Sequence, residues 1–436
     1  MSIKPSRVTP HPPSYVGHPL PWERVGFASP RSKKSALSLG ERVALPPLRE
    51  SRVRGLFWVM WLRSVSTLRR LAWFLLTCFV VPTPSFAGSL RIGVLGLFHP
   101  VELTVRPAPH TALLIKGEGV AEASEMTIED GGEAGLRVED GRVLCVSGEL
   151  MLTAAAIRAT SRQGGPAAFI LSVPGKIARE YHGSLEVSVR EGRLVPVAIV
   201  DLEVAVASAV AAESPPGAPL EALKAQAIVT RSYYLAAPRH AGYDFCDTTH
   251  CQFLREPPSA DSPALAAALG TRGFVLTYRG RVLPALFSGS CGGRTRSLRD
   301  AGMAPQEYPY YSVICNYCLR HAPRWKAVLT LADNLDLLSG APTEAQRLRI
   351  DRELGWGMIP GNNYELNVAG ETLVVQGRGQ GHGIGLCQQG AAGMAAEGKS
   401  FQEILEYYYP NTALSSAESA TLSLRSLPEL YQNKEQ

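Results

Sequence analysis

Residues 201–238 read DLEVAVASAVAAESPPGAPLEALKAQAIVTRSYYLAAP, and this stretch predicts two consecutive helices. Asp201 can cap the first helix, and the Ser-Pro-Pro-Gly stretch 214–217 ends it. The second helix is predicted to begin near Pro219 and to end before Pro238. Residues at spacings of four, four and three share one face of the first helix, and these are Leu202, Val206, Val210 and Glu213. The last of them places a carboxylate on an apolar face.

The sequence before this helix pair is rich in strand patterns. Between residues 88 and 200, short aliphatic and β-branched runs alternate with Gly, Asp-Gly and Pro turn signals. Beyond residue 201, helical periods are interrupted by strand patterns such as GFVLTYRGRVLPALF (273–287). We therefore predict an α+β protein with a β-rich N-terminal region (88–200), a mixed α/β domain (201–412) and a C-terminal tail (413–436).

Composition and charge exclude several classes of protein. Hydrophobic residues make up 45% and charged residues 19% of the chain, which excludes a disordered or collagen-like protein. The formal net charge is +5, but residues 1–87 hold 13 basic and 3 acidic residues, so the remaining chain has a net charge of −5. No global attraction to a phosphate backbone follows from this distribution, and we predict no nucleic-acid partner.

The apolar run LAWFLLTCFVV (71–81) follows three arginines and precedes a small-residue cleavage pattern that ends at Ala87. This layout is typical of a secretory signal peptide, because 11 residues are too few to cross a bilayer of about 30 Å as a helix. Met60 gives the signal an ordinary start, so we expect residues 60–87 to be the signal and residues 1–59 to be untranslated or disordered. The protein is then exported to the periplasm or cell envelope, and it contacts the membrane only if the signal stays uncleaved.

Glu213 is the candidate catalytic residue. Burial disfavours the charged carboxylate, and the C-terminus of a helix carries partial negative charge, so both effects raise its pKa. A carboxyl group that stays protonated near neutral pH can serve as the general acid for a glycosidic oxygen. The alternative is that Glu213 is a solvated residue at a helix end.

The second helix carries two cations seven residues apart, Lys224 and Arg231, which are predicted to share one side. They could bind an anionic or carbonyl-bearing substrate, with Gln226 nearby to form hydrogen bonds. The alternative is that they are ordinary surface cations that keep an exposed helix soluble.

Five of the eight cysteines lie between residues 246 and 318. Cys246, His250 and Cys251 place two thiols and an imidazole within six residues, and Cys315 and Cys318 form a CxxC pattern. Tight clusters of sulfur and nitrogen ligands suit tetrahedral Zn²⁺. In an oxidising compartment, disulfides between Cys246 and Cys251 or between Cys315 and Cys318 are the alternative.

Two glycine-rich stretches predict loops that approach a ligand or turn tightly. The stretch 377–385 surrounds His382 and lacks the GxGxxG and GxxxxGK[ST] orders, so nucleotide binding is not predicted. Glycines allow a backbone to come close to a sugar chain, which would place His382 at the edge of a cleft. The stretch 288–295, which begins at Ser288, follows a predicted strand and has the same character.

Four ordered motifs together resemble one known family. They are LEALKAQAIVTRSYYL (220–235), FSGSCGGRT (287–295), GRGQGHGIGLCQQGAAGMAAEG (377–398) and EILEYYYPNT (403–412). This set is similar to the SpoIID/LytB domain of stage II sporulation protein D and its relatives, and the likeness covers about residues 180–412. The resemblance implies that residues 201–412 form a SpoIID-like catalytic domain.

The resemblance also implies an action on bacterial peptidoglycan. Stage II sporulation protein D is a lytic transglycosylase, a carbon–oxygen lyase that cleaves glycan strands between N-acetylmuramic acid and N-acetylglucosamine, whereas LytB is described as an enhancer of an amidase. The catalytic glutamate of the enzyme corresponds to Glu213. Lys224 and Arg231 match functional positions of the same motif, and some members carry a zinc site at the place of Cys246, His250 and Cys251, where we expect a structural ion. The substrate-binding residues that we predict are Lys224, Gln226, Arg231, Ser288, His382 and Gln388.

Two departures from the family pattern concern the site directly. The residues after the glutamate, 214–217, are richer in Pro and Gly than is usual, and this chain has additional cysteines at 291, 315, 318 and 387. The leading hypothesis is an exported lytic transglycosylase that binds peptidoglycan glycan strands. Its rival is a non-catalytic glycan-binding protein that activates a cell-wall amidase. A thioredoxin-like protein built on Cys315 and Cys318 is not favoured, because no βαβ pattern surrounds them.

Overall fold

Eleven strands precede the first helix in the computed structural model, which describes residues 88–119, 125–236, 239–304 and 306–420. The predicted signal peptide (60–87) and the stretch before it (1–59) lie outside the described residues, as does the end of the predicted tail from residue 421. The strands are β1 (Ser89–Gly93), β2 (Glu102–Pro107), β3 (Leu113–Glu118), β4 (Glu125–Ile128), β5 (Ala134–Glu139), β6 (Arg142–Ser147), β7 (Leu150–Ala154), β8 (Ala156–Ser161), β9 (Ala167–Val173), β10 (Ile177–Arg190) and β11 (Arg193–Asp201).

The long strand β10 organises this β-rich region. Its first half, up to Gly183, pairs with β9, and its second half pairs with β11 on one side and β8 on the other. The strand changes partners at Gly183, where a Cβ atom would collide with the carbonyl of Ile199. Glycine is therefore required at the point where the two sets of strands meet.

The first strand connects this sheet to the second half of the chain. Strand β1 pairs with β11 and, in parallel, with the short β12 (Phe245–Cys246). The Asp247 amide also donates a hydrogen bond to the carbonyl of Gly93 at 3.1 Å. The sheet thus fixes the backbone on which Cys246 lies.

The two helices predicted from residues 201–238 are confirmed. Helix α1 spans Leu202–Glu213, with the Asp201 carboxylate accepting hydrogen bonds from the amides of its first turn, and helix α2 spans Leu220–Ala236. Helix α3 (Pro263–Gly270) packs against both of them. Because most residues of α1 are buried, the helix lies within the protein rather than along its surface.

The C-terminal motifs form a second set of short elements. These are the strands β13 (Phe274–Tyr278), β14 (Arg281–Val282), β15 (Phe287–Ser288) and β19 (Leu386–Cys387), and the helices α4 (Asn316–His321), α6 (Gln388–Ala396) and α7 (Phe401–Tyr408). Ser400 and Glu403 form the capping box that the sequence predicts for α7. Strands β15 and β19 pair in parallel and bring two of the glycine-rich motifs together.

The region predicted as a C-terminal tail begins with a strand. Strand β20 (Ala413–Ser416) pairs antiparallel with residues 274–277 of β13, which corrects the expectation of a tail from residue 413. Backbone pairing with β13, and not a buried face, holds this strand in place. The sequence Ala-Leu-Ser-Ser therefore needs no alternating apolar pattern and did not predict a strand.

Residues 324–378 form a small unit that the sequence did not predict. Strands β16 (Arg324–Thr330), β17 (Tyr364–Ala369) and β18 (Thr372–Arg378) make a separate three-stranded sheet, beside which lies helix α5 (Glu344–Leu354). A hydrophobic cluster of its own, which includes Leu329, Ile350 and Val375, fills this unit.

A larger hydrophobic core runs from Leu90 to Ala417 and crosses the boundary predicted at residue 200. It joins the inner face of the β-rich region to helices α1, α2 and α3 and to the C-terminal motifs. The predicted α+β class is confirmed, with strands dominating before residue 201 and helices following. Within the described ranges, no helix has the length and apolar character needed to cross a bilayer.

Candidate active site and cysteine clusters

Glu213 is the last residue of α1, and other parts of the chain donate hydrogen bonds to both its side-chain carboxylate and its backbone carbonyl. One carboxylate oxygen, Oε1, accepts a hydrogen bond from the backbone amide of Phe253 at 3.0 Å. Its own backbone carbonyl accepts a hydrogen bond from the Gln388 side chain at 2.8 Å. A carbonyl at a helix C-terminus has no partner within the helix, so Gln388 satisfies a group that the helix leaves open.

The environment of Glu213 raises the pKa of its carboxyl group into the neutral range. Burial raises the pKa to about 7, while the hydrogen bond from Phe253 and the charge of Arg255 act in the opposite direction. The direction agrees with that predicted from the position of Glu213 on the helix, and a fully solvated helix-end residue is not observed. A carboxyl group with this pKa can donate a proton and take one back at neutral pH.

A chain of side-chain amides borders the carbonyl end of Glu213. Gln388 also donates to the side-chain oxygen of Gln226 at 3.4 Å, and Gln226 donates to the Thr230 hydroxyl at 3.3 Å. Gln226, Gln388 and Ser214, the residue after Glu213, are among those that line a small depression. Three predicted site residues, Glu213, Gln226 and Gln388, are thus brought together.

Two thiols and two imidazoles form a second feature, which we call the mixed cluster. Its four ligand atoms, from His240, Cys246, His250 and Cys251, all lie within 4.8 Å of one another. Nδ1 of His250 is 3.6 Å from the Cys246 sulfur and 3.5 Å from the Cys251 sulfur, and Nε2 of His240 is 3.4 Å from Cys251. A set of two thiolates and two imidazoles at this spacing fits tetrahedral Zn²⁺.

His240 was not predicted as a ligand. It lies in an aperiodic stretch six residues before Cys246, where only its residue type could have indicated a role. The aromatic ring of Tyr243 packs against its imidazole, with 4.6 Å between ring centroids. Arg239 donates hydrogen bonds to the His250 carbonyl at 2.7 Å and to the Tyr233 hydroxyl at 3.0 Å, which attaches the cluster to α2.

A short backbone segment, residues 251–255, connects the mixed cluster to Glu213. Two residues after Cys251, the Phe253 amide donates to the Glu213 carboxylate. The next carbonyl, that of Leu254, accepts from Arg179 at 3.3 Å, and Arg255 exchanges two backbone hydrogen bonds of 2.9 Å with the Ser208 hydroxyl. The position of the carboxylate therefore depends on a segment that begins at a cluster cysteine.

Comparison with known proteins places these features in a family. The family model described as Stage II sporulation protein (SpoIID) matches residues 190–278. An uncharacterised protein of Brachyspira hyodysenteriae is 30% identical over 263 residues, which cover 53% of this chain and 71% of that protein. The chain belongs to the SpoIID/LytB family.

Other relatives in this family have descriptive names. Stage II sporulation protein D of Bacillus subtilis is 26% identical over 269 residues, which cover 50% of this chain and 76% of that protein. The amidase enhancer of the same organism is 23% identical over 280 residues, which cover 47% of this chain and 39% of that protein. Membership in the SpoIID/LytB family supports a function connected with the cell wall.

The two cations of the family's helix motif have different environments. Arg231 is completely buried, and its guanidinium donates to both carboxylate oxygens of Glu203, at 2.8 and 2.5 Å. It also donates to the carbonyls of Ala268 and Phe274. Lys224 is partly exposed and pairs with Glu221 at 2.6 Å. The structure does not bring Arg231 to the surface beside Glu213; its contacts join α2 to the first turn of α1.

Two other predicted residues, Ser288 and His382, lie in the glycine-rich motifs of the SpoIID/LytB domain. Both are buried, and Ser288 lies opposite Cys387 in the pairing of β15 with β19. Burial lowers the pKa of His382 to about 4, and its ring accepts a hydrogen bond from the Ile384 amide at 3.1 Å. The charged groups that act on its imidazole are those of Glu344 and Arg347 on α5 and of Arg296, and Glu213 is not among them.

The side-chain amide of Gln252, which directly precedes Phe253, was not predicted as part of the site. The side chain of Gln252 is 2% exposed, and neither of its polar atoms has a hydrogen-bond partner among the described residues. The hydroxyl of Ser214 is likewise buried and has no hydrogen-bond partner among the described residues. Buried polar groups normally form hydrogen bonds, so these two, which adjoin the two segments that meet at Glu213, could bind a polar ligand.

Proposed function

We propose that this protein is an exported lytic transglycosylase that cleaves peptidoglycan glycan strands between N-acetylmuramic acid and N-acetylglucosamine. The observation that carries the proposal is the environment of Glu213, whose carboxyl group is held by the Phe253 amide and has a pKa raised by burial to about 7. Such a group acts as acid in one step and as base in the next. The SpoIID/LytB family supports the choice of substrate class.

In this mechanism Glu213 donates its proton to the oxygen that links the two sugars. The bond from the anomeric carbon of the muramic acid to that oxygen breaks, and the departing N-acetylglucosamine leaves as an alcohol. The 6-hydroxyl of the same muramic acid then attacks the anomeric carbon and gives its proton back to Glu213. The product is a 1,6-anhydro sugar, no water is consumed, and one carboxyl group serves both steps.

The surroundings of Glu213 suit a polymer that lies across the surface. The depression lined by Ser214, Gln226 and Gln388 has room for little more than a water molecule, so a glycan would lie over it and not inside it. The amides of Gln226 and Gln388 offer hydrogen bonds to hydroxyl and acetamido groups. Lys224 is partly exposed and contacts Glu221 and the Phe401 ring, so its role in substrate binding stays a prediction.

We assign a structural Zn²⁺ ion to the mixed cluster. The ion would hold Cys251, and through residues 252–253 it would keep the Phe253 amide directed at the carboxylate. A structural zinc site has four protein ligands and leaves no open position, which the two histidines and two cysteines satisfy. The proposed chemistry itself is carried by Glu213 and the substrate hydroxyl.

The test is mass spectrometry of glycan strands, with and without stem peptides, after incubation with the protein and with its Glu213→Gln variant. The expected result is 1,6-anhydro-muramic acid ends from the parent and a loss of about 10²- to 10⁴-fold with the variant. Glu397→Gln is the matched control, because this exposed glutamate also lies at a helix end. Equal rates for the parent and Glu213→Gln would contradict the proposal.

The similarity to an amidase enhancer favours a second candidate, a glycan-binding protein that activates a cell-wall amidase without cleaving glycan. The same experiment separates the two when an amidase assay is added to it. Binding of strands without anhydro products from the parent, together with a faster amidase in its presence, would support the enhancer. In that case Glu213→Gln should activate the amidase as well as the parent does.

A further inference from the structure

Four further cysteines meet in the C-terminal half of the chain, and we call them the tetracysteine cluster. Cys291 follows β15, Cys315 precedes α4, Cys318 lies in its first turn, and Cys387 ends β19 at the start of α6. All four are buried, with at most 1% of each residue exposed. Only the pair Cys315 and Cys318 could be recognised together in the sequence.

The spacing of the four sulfur atoms fits a metal ion better than disulfides. All four lie within 4.8 Å of one another, and the sulfurs of Cys318 and Cys387 are 3.4 Å apart. A tetrahedral ion with zinc–sulfur bonds of about 2.3 Å separates its sulfurs by about 3.8 Å. A disulfide requires about 2.0 Å between two partners, and this arrangement selects no such pair. Four sulfurs this close to one another can all bind a single central ion.

Hydrogen bonds to the sulfurs point to thiolate ligands. The Cys387 sulfur accepts from the amides of Cys291 at 3.3 Å and Gly390 at 3.4 Å. The Tyr408 hydroxyl is 3.3 Å from the Cys315 sulfur, and the Ser290 hydroxyl is 3.4 Å from the Cys318 sulfur. Three of the four sulfurs thus have a donor group beside them. Metal-bound thiolates are stabilised by donors of this kind, whereas disulfide sulfurs accept hydrogen bonds only weakly.

The chain around the tetracysteine cluster is packed for this arrangement. A Cβ atom at residue 390 would lie 2.5 Å from the Cys315 sulfur and would also collide with the Tyr408 hydroxyl. Glycine at position 390 therefore lets α6 approach the cluster closely. Backbone amides at the start of α6 can then reach the Cys387 sulfur.

We propose that Cys291, Cys315, Cys318 and Cys387 form a second zinc site, separate from the mixed cluster. A site of four thiolates is selective for zinc or iron, and we commit to zinc because a closed, buried set of four cysteines is typical of its structural sites. Each cysteine loses its thiol proton to solvent as the ion binds. The assignment does not depend on the proposed reaction.

This second ion would join three motifs that are distant in the sequence. It connects the loop after β15, helix α4 and the start of α6, where Gln388 directly follows the ligand Cys387. The carbonyl of Gly289 also accepts a hydrogen bond from the Gln389 amide at 3.1 Å, which fixes the same junction. The ion would therefore hold the residue that donates to the Glu213 carbonyl.

The first test counts zinc in the full-length protein by inductively coupled plasma mass spectrometry. The expected content is two ions per chain in the parent, one in Cys318→Ser and one in Cys251→Ser. Cys145→Ser is the matched control, because Cys145 is a buried cysteine outside both clusters, and it should retain two. A zinc content that Cys318→Ser leaves unchanged, or iron as the second metal, would overturn the proposal.

A second test uses the cobalt-substituted parent and needs no folded tetracysteine variant. Sulfur-to-cobalt absorbance grows with the number of bound thiolates, of which the two sites together would supply six. The Cys251→Ser variant, which keeps the tetracysteine site, should therefore retain about two thirds of the parent absorbance. Peptide mapping of the unreduced parent should find all four cysteines free to alkylate after metal removal. Two disulfides among them, with no sulfur-to-cobalt absorbance left in Cys251→Ser, would refute the site.

Discussion

The mixed cluster comes from residues 240–251, whereas the tetracysteine cluster draws its sulfurs from positions between 291 and 387. Each cluster is connected through a short segment to a hydrogen bond with Glu213. Two residues after Cys251 of the mixed cluster, the Phe253 amide donates to the Glu213 carboxylate. Directly after Cys387 of the tetracysteine cluster, the Gln388 side chain donates to the Glu213 backbone carbonyl. The first contact acts on the charge of the glutamate, and the second acts only on its position. The two clusters should therefore have different functional signatures.

The largest expected effect concerns the other end of α1, which is held without any cluster. Arg231→Ala leaves the buried carboxylate of Glu203 unpaired, so we expect the free energy of unfolding to fall by about 3–5 kcal/mol. Lys224→Ala removes a cation from the same helix, but its ion pair is partly exposed and should contribute less than about 1 kcal/mol. Denaturant titration measures both. Similar losses for the two variants would show that the buried pair is not the anchor of α1.

The next prediction separates the two clusters directly. Cys251→Ser should release the segment that carries the Phe253 amide, and the loss of a donor that lowers the pKa of Glu213 should raise this pKa above about 7. The rate of anhydro-sugar formation should fall by about 10- to 100-fold, as is usual when the support of a site is lost. The alkaline limb of the pH–rate profile should also move to higher pH.

Cys318→Ser is the comparison for this experiment. It should lower the rate through Gln388 while leaving the alkaline limb where the parent has it, since Gln388 donates to the carbonyl and not to the carboxylate. A shift of the limb in Cys318→Ser, or none in Cys251→Ser, would contradict the division of roles between the clusters.

The pH dependence of the parent follows from the raised pKa of Glu213. The protonated form is the active acid, so activity should be nearly constant below pH 6 and should fall as the pH rises through about 7. Between pH 7 and pH 9 the protonated fraction drops about 50-fold, and kcat/KM should follow it. A profile that falls already near pH 4.5, the ordinary value for glutamate, would show that burial does not tune this residue.

The contrast between the clusters also explains what the sequence could predict. The helix ending at Glu213 follows from its periodicity and the Asp201 cap, and Cys246, His250 and Cys251 could be grouped because they are neighbours in the chain. Local rules of this kind operate over a few residues. The α+β class and the family were predicted for the same reason, since their signals lie in contiguous motifs.

Other features of the site could be recognised only in the folded structure. Cys291 and Cys387 converge only because β15 pairs with β19, and no local pattern marks that pairing. The burial of Arg231 was not predicted, because a cation on a helix is expected to be exposed unless a buried partner is known. That partner, Glu203, lies 28 residues earlier in the chain. The contact of Gln388 with Glu213 spans 175 residues.

Removing the contact between Gln388 and Glu213 should have the smallest effect on the rate. It also separates the position of Glu213 from the charge of its carboxyl group. Gln388→Ala removes a hydrogen bond of about 1 kcal/mol from the Glu213 carbonyl, so the rate should fall about fivefold. The pH limb should not move, because the amide does not contact the carboxylate. Gln388→Glu is the sharper variant, since its carboxylate cannot donate to the carbonyl and adds negative charge near the glutamate. It should lower the rate further and raise the pKa of Glu213, so a limb unchanged in both variants would place Gln388 outside the electrostatic environment of the acid.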